Sequence, residues 1–519
     1  MTEITMNGAE SLVLTLAGAG VDTCFSNPGT SEMHFVAALD SISGVRPILG
    51  LFEGAVTGMA DGYGRMAGKP ACTLLHLGPG LANGLANLHN ARRAATPIVN
   101  IVGDHATYHA QYDAPLASDI MGFARPVSGW VHSSVSSKTV AADGARAVAA
   151  ACSPPGQVAT LILPADTAWN AAEGPAAALP RPAPATVSST VVDRVAQALR
   201  SGRKTSILIR GAALHGPGLL AAGRIAAATG ARLLCDTFAP RLSRGSGNVV
   251  IDRIPYFAEQ IVETLAEVEQ LVLVGAKPPV SFFAYPGKPS WCLPGAAEIF
   301  YLAHPHEDGE GALQALASAL GASDVSPPVA GFARPDMPTG RINQYTAGQV
   351  IARHLPEGAI LADEGATASG GTMVATVTGP PHEHMPLTGG SIGQGIPLAT
   401  GAAVACPDRK VVCIQGDGGA MYTIQALWTQ AREKLDVVTV IFANHSYGIL
   451  NVELARVGAR NVGPKALSML DLHNPELDFV KLAGGLGVEA SRAETLEDLD
   501  SQFASAIAAK GPRLIEVIL

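Results

Sequence analysis

The sequence predicts an α/β protein made of three doubly wound parallel-sheet domains. Short apolar runs rich in β-branched residues alternate with alanine-rich runs of helical length; examples of the apolar runs are PACTLLHL, TSILIRG, EQLVLVGA and KVVCIQG. Apolar strands separated by helices are typical of parallel sheets that helices cover on both faces. In addition, two segments rich in proline and alanine, residues 171–189 and 323–340, divide the 519 residues into three parts of similar size.

These divisions predict an N-terminal domain over residues 1–175, a central domain over 187–325 and a C-terminal domain over 340–519. A chain of this length exceeds what a single hydrophobic core supports. The net charge is −9, and the lysine and arginine residues are scattered along the chain. We therefore expect no basic surface for nucleic acid or for an anionic membrane.

The cysteines and the N-terminus predict a soluble cytoplasmic protein. The seven cysteines form no CxxC pair and lie mostly in apolar runs, which indicates buried, reduced thiols. The first ten residues, MTEITMNGAE, lack the basic and apolar regions of a signal peptide. The apolar run LVLTLAGAGV is far shorter than the roughly 20 residues that a membrane span needs.

The stretch VVCIQGDGGAMY, residues 411–422, predicts an anion site at the end of a strand. Its glycines, Gly416, Gly418 and Gly419, allow a ligand to approach the backbone, and the helix that follows, expected to reach about Lys434, offers free N–H groups to a phosphate. Asp417 would repel a phosphate unless a divalent cation lies between them. The motif therefore predicts a bound cation as well as a diphosphate.

A second oxygen ligand for that cation is expected at the end of the next strand. The run DVVTVIFANHSYG places Asn444 27 residues after Asp417 (444 − 417), one strand–helix–strand crossover away. The carbonyl of Ser446 is a third candidate ligand. Mg²⁺ prefers such oxygen ligands together with phosphate oxygens, so the spacing predicts a magnesium site.

GDG followed by Asn at this interval resembles the cofactor motif of the thiamin diphosphate-dependent enzymes. The N-terminal part resembles the other half of the same family's site in the segments SNPGTSEM, GLFEGAVTGMADGYGRMAGKPA and HLGPGLANGLAN. The resemblance covers nearly the whole chain, in the order pyrimidine-binding, central and diphosphate-binding domain. It is closest to the branch that contains benzoylformate decarboxylase and the acetolactate synthase large subunit.

The resemblance implies that Glu53 is the activating acid. In the family this carboxyl shares a proton with N1′ of the cofactor's aminopyrimidine, whereas the residues of the GDG motif on a partner chain hold the diphosphate. A homodimer is then the smallest active form, with the sites between subunits, and a homotetramer is usual. The competing interpretation of Glu53 is a solvated carboxylate that stabilises the start of a helix.

Further cofactor contacts follow from matched segments. In PLTGGSIGQG, the Gly390 carbonyl would accept from the 4′-amino group and Ile392 would hold the two rings in a bent conformation. The remaining residues matched to cofactor contacts are Asn83, Thr367, Gly418, Gly419 and Tyr447.

Substrate residues are matched in the same way. His76 stands where the decarboxylase branch has a catalytic histidine, and Thr30 replaces the serine that binds the substrate carboxylate there. The loop GAKPPVSFFAYPGKPS departs from that branch, because Phe282 or Phe283 occupies the place of its second catalytic histidine. Leu450 is a further expected substrate-lining residue. Three other histidines, His132, His382 and His384, are candidates to replace the missing one.

Together these features predict an enzyme that uses thiamin diphosphate and Mg²⁺ to decarboxylate 2-oxo acids. The lack of a proton donor at the phenylalanines favours transfer of the resulting enamine to an aldehyde or keto acceptor, as in acetolactate synthase. Two alternatives stay open: a simple decarboxylase of the benzoylformate type, and a catalytically silent paralogue that binds the cofactor. The histidine clusters PPHEHMP and AHPHEDGEG lack metal-ligand spacing, and the first is expected to face the substrate. No FAD is expected on the central domain.

Overall fold

The computed structural model of the chain describes residues 6–519. Residues 1–5, where the predicted N-terminal domain and the segment compared with a signal peptide begin, lie outside the described residues. The described part contains three α/β sheets, and the prediction of three parallel-sheet units is confirmed. No helix within residues 6–519 is both long and apolar enough to cross a membrane.

The first sheet has six strands, all parallel, in the order β2-β1-β3-β4-β6-β5. The strands are β1 Thr23–Asn27, β2 Arg46–Leu49, β3 Ala71–Leu75, β4 Ile98–Asp104, β5 Trp130–Ser133 and β6 Val158–Pro164. The helices of this part are α1 Gly8–Gly18, α2 Met33–Ser41, α3 Glu53–Ala67, α4 Leu77–Ala94, α5 Ile120–Ala124, α6 Val140–Ala151 and α7 Ala165–Trp169. A short 3-10 turn, Thr30–Glu32, follows β1.

The central part contributes strands to two sheets. Its strands are β7 Thr205–Ile209, β8 Arg232–Cys235, β9 Leu242–Arg244, β10 Asp252–Arg253, β11 Gln270–Val274 and β12 Glu298–Ala303. Five of them form a parallel sheet in the order β10-β8-β7-β11-β12. Its helices are α8 Ser189–Arg200, α9 Gly216–Thr229, α10 Ala258–Leu265 and α11 Gly309–Ala319.

The third sheet has seven strands in the order β17-β18-β16-β15-β13-β14-β9. Its own strands are β13 Ile360–Glu364, β14 His382–Pro386, β15 Val411–Gly416, β16 Val437–Ala443, β17 Glu489–Ala493 and β18 Arg513–Ile518. The helices are α12 Gln344–His354, α13 Ser369–Ala375, α14 Gly395–Ala405, α15 Asp417–Thr423, α16 Ala426–Arg432, α17 Gly448–Arg456, α18 Pro464–Ser468, α19 Phe479–Gly485 and α20 Leu496–Ala508. The helix expected from the GDGG motif to about Lys434 is thus divided into α15 and α16.

Strand β9 departs from the predicted division into three independent units. It lies in the central segment of the chain but pairs antiparallel with β14 of the third sheet. The two segments rich in proline and alanine contain no helix or strand: residues 171–188 and 321–343, all of them described, form only isolated bridges between α7 and α8 and between α11 and α12. The division into domains over residues 1–175, 187–325 and 340–519 stays a prediction.

Burial of apolar side chains explains why these runs form strands and how the first and third sheets pack together. Strands β4, β6 and β16 are buried along almost their whole length, as expected for continuous apolar runs. One hydrophobic core passes from the first sheet to the third through α3 and α14, whereas the central sheet has separate cores. The seven cysteines are all free, and five of them are buried. This packing places the carboxyl ends of β13, β15 and β16 around one site.

A candidate cofactor and metal site

Asp417 lies at the carboxyl end of β15, beside the end of β16. Strand pairing sets Gly416 opposite Phe442, so the loops that follow these two strands are neighbours. Asp417 begins α15 and is only 4% exposed. Its Oδ1 accepts from Gly418 N at 2.8 Å and its Oδ2 accepts from His445 N at 2.7 Å. The predicted neighbourhood of Asp417 and the loop of Asn444 is therefore present.

The loop of Asn444 is a tight turn held by hydrogen bonds. Asn444 Oδ1 accepts from Ser446 N at 3.1 Å, and His445 between them has a φ of +52°. Ser446 Oγ donates to Leu470 O at 3.1 Å, which fixes the turn from its other side. The carboxylate of Asp417, the amide oxygen of Asn444 and the Ser446 carbonyl are oxygen donors of the kind that Mg²⁺ takes.

The electrostatics of Asp417 fit a cation. Burial raises the pKa of this carboxyl above its ordinary value, and the N–H groups of Gly418 and His445 only partly oppose that rise. A divalent cation would favour the ionised form. Within residues 6–519, no three His, Cys, Asp or Glu side chains converge as a metal-binding group, so the oxygen set around Asp417 is the candidate that the chain offers.

Two glycines of the GDGG motif, Gly418 and Gly419, leave room for neighbouring side chains. A Cβ at Gly418 would stand 2.4 Å from the ring of Tyr447, and one at Gly419 would stand 2.4 Å from Oε1 of Glu364. Tyr447 is anchored by its N–H, which donates to Leu470 O at 3.0 Å. The two side chains therefore reach the backbone at the start of α15 because no Cβ stands in the way.

Thr367 lies near the loop of Asn444. A Cβ at Gly448 would meet Asn444 Nδ2 at 3.1 Å and Thr367 Oγ1 at 3.5 Å. Thr367 belongs to the 3-10 turn Ala366–Ala368 after β13, and its side chain is exposed. Thr367 and Tyr447 thus border the same loop, and the cofactor contacts that the resemblance implies for them stay a prediction. Gly416, the last residue of β15, is half-buried beside them.

The turn at residues 388–393 stands between β14 and α14. Gly390 has a φ of +78°, a conformation that glycine adopts without a steric penalty. Ile392 is half-buried and Gly390 is exposed. Asn87 Nδ2 donates to Gly393 O at 3.2 Å and Asn90 Nδ2 donates to Ser391 O at 2.8 Å, so α4 supports the turn.

An aromatic group covers this turn from the central part of the chain. A Cβ at Gly390 would stand 2.7 Å from Cζ of Phe282. The ring of Phe282 lies 5.4 Å from that of Phe238, 5.2 Å from that of Tyr256 and 4.7 Å from that of Phe283. Of the two phenylalanines expected to line the site, Phe282 therefore contacts the turn, whereas Phe283 is 51% exposed. We call Phe238, Tyr256, Phe282 and Phe283 the aromatic wall.

Helix α17 follows the loop of Asn444 and contacts residues next to the aromatic wall. Tyr285, which follows the two phenylalanines, donates from its hydroxyl to Glu453 Oε1 at 3.0 Å. Arg456 forms an ion pair with Glu259 at 2.5 Å and stacks over the ring of Phe257 at 4.2 Å. Leu450, the further expected substrate-lining residue, is 43% exposed on the same helix.

The N-terminal half of the predicted site gathers at the ends of β1, β2 and β3. Glu53 is the first residue of α3 and is 8% exposed. Its Oε2 accepts from Asn83 Nδ2 at 3.0 Å, and a Cβ at Gly80 would stand 3.0 Å from its Oε1. The carboxylate is thus partly buried and held by one side chain, in contrast to a solvated carboxylate at a helix start.

Glu32 is a residue that the sequence reasoning missed. It is fully buried and accepts from His76 Nδ1 at 2.8 Å, from Gly29 N at 2.7 Å and from Ser31 Oγ at 2.7 Å. It therefore orients His76, whose ring lies so close to Gly29 that a Cβ there would clash with it. Thr30 is exposed in the same turn. The run SNPGTSEM contains Glu32, but an acid in a glycine-containing turn gives no local sign of burial.

Of the three histidines proposed as substitutes for the missing one, His382 and His384 are buried, whereas His132 is half-buried. His382 and His384 are 3% and 1% exposed in β14, and the expectation that PPHEHMP faces the substrate is wrong. His384 Nε2 lies 3.1 Å from Asp363 Oδ2, and His382 Nδ1 contacts Pro380 O at 2.9 Å. Pairing of β14 with β9 covers them, which the local sequence did not reveal. His132 lies 3.3 Å from Asp143 at the edge of the first sheet.

The central part borders a cavity of about 1070 Å³ that all three parts line. Its lining includes the segment Arg210–Ala213 after β7, Gly275 after β11, and Arg93 and Thr388 from the other two parts. The run RGAALHGPG, a glycine-containing segment after β7 that could cradle the diphosphate of a flavin, forms the 3-10 turn Gly211–Leu214 and then α9. The cavity does not discriminate for or against a flavin, and the absence of FAD stays a prediction.

The two halves of the site lie on separate parts of the chain. Among the described residues, no hydrogen bond joins Glu53, His76 or Asn83 to the GDGG motif or to the loop of Asn444. Asn83 and Thr30 on one half and Thr367 on the other are exposed. Each half therefore presents polar groups toward solvent within a single chain.

Comparison with known proteins shows which proteins this chain is similar to. The model of the N-terminal thiamine pyrophosphate-binding domain of thiamine pyrophosphate enzymes matches residues 6–123, and that of their C-terminal domain matches residues 365–517. A protein of Mycobacterium tuberculosis, provisionally named as the acetolactate synthase large subunit IlvX, is 53% identical over 99% of both chains. Benzoylformate decarboxylase of Pseudomonas aeruginosa is 30% identical over 96% of both. The solved 4-hydroxybenzoylformate decarboxylase of Rhodococcus jostii superposes with a TM-score of 0.84 at 25% identity, covering 98% of each chain.

Proposed function

Because this chain belongs to the thiamine pyrophosphate enzyme family, we propose that it uses thiamin diphosphate and Mg²⁺ to decarboxylate a 2-oxo acid and to transfer the remaining fragment to an aldehyde or keto acceptor. When bound, the cofactor supplies a carbon nucleophile for the keto carbon and accepts the electron pair that CO₂ leaves behind. The residues of this chain bind and orient the reactants and control protons around that centre.

The C-terminal half binds the diphosphate through a cation. Asp417, Asn444 and the Ser446 carbonyl are the proposed Mg²⁺ ligands, and the backbone at the start of α15 would bind the phosphates. The support for this is the buried Asp417 carboxylate, which has backbone donors but, within residues 6–519, no cationic side chain as partner. Gly390 and Ile392 hold the aminopyrimidine and thiazolium end.

Residues of the N-terminal half are proposed to transfer protons. Glu53, buried and held by Asn83, would share a proton with N1′ of the aminopyrimidine. His76, oriented by Glu32, donates or accepts a proton at the reacting carbon or its oxygen. The hydroxyl of Thr30 binds the substrate carboxylate from the same turn.

We propose that the two halves meet between subunits of a homodimer. Glu53 of one chain then serves the Asp417 loop of another, in a dimer or in a tetramer built from such dimers. Among the described residues, no hydrogen bond joins Glu53, His76 or Asn83 to the GDGG motif or to the loop of Asn444, and this supports the arrangement. The bonds that α4 makes to the turn at residues 388–393 of the same chain include those of Asn87 and Asn90. A C₂ dimer would create two such sites at once.

The observation that carries the choice of carboligation is the aromatic wall on Gly390. Phe282 contacts this turn, and the family resemblance gives Phe282 or Phe283 the place of the histidine that would protonate the fragment to free aldehyde. Two tyrosine hydroxyls belong to this region: Tyr256 is part of the aromatic wall, and the ring of Tyr285 lies 6.5 Å from that of Phe283. Burial raises the pKa of both, so neither gives up a proton readily at neutral pH. A fragment that is not protonated there survives to meet a second carbonyl.

The test is product analysis with pyruvate or benzoylformate, with and without an aldehyde acceptor. We expect the wild-type protein to form the coupled product, and Phe282→His to raise the share of free aldehyde by at least about tenfold, because it restores a general acid. Phe283→His is the matched control, since that ring does not contact Gly390. Free aldehyde alone from the wild-type protein, with acceptor in excess, would contradict carboligation.

Two alternative functions would give different results in these turnover assays. A simple decarboxylase is favoured by the relatives and solved structures that carry benzoylformate decarboxylase names, and it would release aldehyde whether or not acceptor is present. A silent paralogue would bind the cofactor but turn over no 2-oxo acid. Equal behaviour of wild type and Glu53→Gln in every turnover assay would identify the silent form.

A further inference from the structure

Glu364 is a buried carboxylate that binds the backbone of the turn between β14 and α14. It is the last residue of β13 and is 3% exposed. Its Oε1 accepts from Gly393 N at 2.7 Å, and its Oε2 accepts from Gln394 N at 2.5 Å and Gly395 N at 2.6 Å. One carboxylate therefore holds three consecutive N–H groups of the chain.

The same carboxylate is tied to the strand that carries the GDGG motif. Gln415 Nε2, one residue before Gly416, donates to Glu364 Oε1 at 3.1 Å. Gly419 of the motif lies against both side chains, because a Cβ there would stand 2.4 Å from Glu364 Oε1 and 2.7 Å from Gln415 Nε2. Glu364 thus contacts the turn on one side and the start of α15 on the other.

We propose that Glu364 is a positioning residue that fixes the turn at residues 388–393 relative to the start of α15. The Gly390 carbonyl and the Ile392 side chain would then meet the ring end of thiamin diphosphate. This inference rests on the proposed function. Glu364 itself is enclosed by protein and acts through the backbone of the turn and through Gln415.

A simple helix cap does not account for this geometry. Helix α14 begins at Gly395, so the N–H groups of Gly393 and Gln394 belong to the turn that precedes it. A capping residue alone would bind the first turn of the helix. Here the carboxylate holds the two residues that directly follow Ile392, and its fourth donor comes from β15. The bonds therefore restrain the orientation of the turn as well as the start of the helix.

The test uses Glu364→Gln, which keeps the shape and replaces one acceptor oxygen with an NH₂ group that faces N–H donors. Affinities for thiamin diphosphate and for inorganic diphosphate, both with Mg²⁺, are measured by calorimetry. We expect thiamin diphosphate to bind about 10- to 100-fold more weakly, as for other supporting residues of a site. Inorganic diphosphate does not reach the turn, so its affinity should fall by a clearly smaller factor, which reflects only the contact of Glu364 with the start of α15.

Two further variants separate positioning from general stability. Glu516→Gln alters another fully buried carboxylate, on β18 of the same sheet, and should leave both affinities unchanged. Glu364→Asp keeps the charge but is one methylene too short to hold all three N–H groups, and should repeat the selective loss if Glu364→Gln does not fold. The near-ultraviolet circular dichroism of bound cofactor should also change in the Glu364 variants.

The outcomes are distinguishable from failure of the proposed function. If the wild-type protein binds no thiamin diphosphate, the proposed function fails. If the wild-type protein binds it and the Glu364 variants bind it equally well, or lose both ligands to the same extent, the positioning role is wrong while the proposed function stands. A loss of the same size in Glu516→Gln would also overturn the positioning role.

Discussion

Four buried carboxylates give the candidate site its chemistry. Glu32, Glu53, Glu364 and Asp417 are between 0% and 8% exposed, in a chain where charged residues are only 15% of the total. A buried charge is costly unless it is hydrogen-bonded or paired. Glu32 and Glu364 have three and four donors from protein groups, whereas Asp417 has two and Glu53 has one. The two least satisfied acids are the ones proposed to meet a ligand.

Asp417→Asn should remove cation-dependent cofactor binding without unfolding the protein. The amide keeps the size of the side chain but loses the charge that attracts a divalent cation. We expect thiamin diphosphate affinity in the presence of Mg²⁺ to fall by about 100-fold or more, comparable to the loss of wild-type binding when Mg²⁺ is removed with EDTA. Calorimetric titration measures both values.

The control for this change is Asp408→Asn, an exposed acid on the loop before β15. It should leave the affinity and its Mg²⁺ dependence as in the wild-type protein. Binding of the cofactor by the wild-type protein at equal affinity with EDTA would show that Asp417 does not hold a metal.

At the scale of elements, the site depends on how closely α3 crosses α14. Gly62 and Gly401 lie at this crossing, where a Cβ would stand 2.0 Å from Leu398 O and 1.8 Å from Met59 O respectively. Gly58, one turn earlier on α3, faces Pro397 at 2.8 Å. Because α3 begins with Glu53 and α14 follows the turn of Ile392, a change in this crossing moves both halves of the site.

Gly62→Ala should lower the free energy of unfolding by about 1–3 kcal/mol, since the added methyl group forces the helices apart. Thiamin diphosphate binding should weaken as well. Urea denaturation with and without cofactor measures both effects. Gly18→Ala is the matched control: Gly18 lies in α1, where an added Cβ would meet no atom within 4 Å, so alanine there should be neutral or slightly stabilising. Equal effects of the two substitutions would contradict close packing at Gly62.

The buried histidine His382, on β14 beside β9, predicts that the folded protein loses stability in acid. The pKa of His382 is lowered from 6.5 to about 4, mainly by burial; the Pro380 carbonyl partly opposes this change, and Arg244 opposite it on β9 adds to it. His384, Glu383 and Asp363 are the other titratable groups beside it. Above pH 6.5 the histidine is neutral in both states. Below that pH the unfolded chain takes up a proton that the folded protein does not, so stability falls until about pH 4.

The expected loss from His382 is about 3 kcal/mol between pH 6.5 and pH 4, from 1.36 kcal/mol per unit of pKa difference. His382→Asn keeps a donor for Pro380 O but does not titrate. The decline of unfolding free energy over this pH range should therefore be smaller in the variant, as measured by chemical denaturation at several pH values. Identical slopes for the two proteins would show that His382 is not responsible.

At the scale of the whole molecule, the sequence predicts the sheets and the strand-end residues better than it predicts what packs on them. Asp417, Asn444 and Glu53 were recognisable because each follows an apolar strand or a short apolar run directly, and the carboxyl ends of parallel strands are where such folds bind ligands. Strand β9 was not predicted, because three residues carry no sign of which sheet they join. The burial of His382, His384, Glu32 and Glu364 depends on contacts between distant segments, which local patterns do not contain.

The arrangement of the whole molecule has a test in mixed oligomers. If Glu53 of one chain serves Asp417 of another, a dimer of one Glu53→Gln chain and one Asp417→Asn chain has one doubly altered site and one intact site. Random pairing of co-expressed, differently tagged variants makes half of the dimers mixed, so about a quarter of wild-type turnover should return although each variant alone is inactive. Asp417→Asn with Asn444→Ala is the matched control, because both changes lie in the same half and no pairing restores a site. Turnover no higher than that of the single variants would instead assign Glu53 and Asp417 of one chain to the same site.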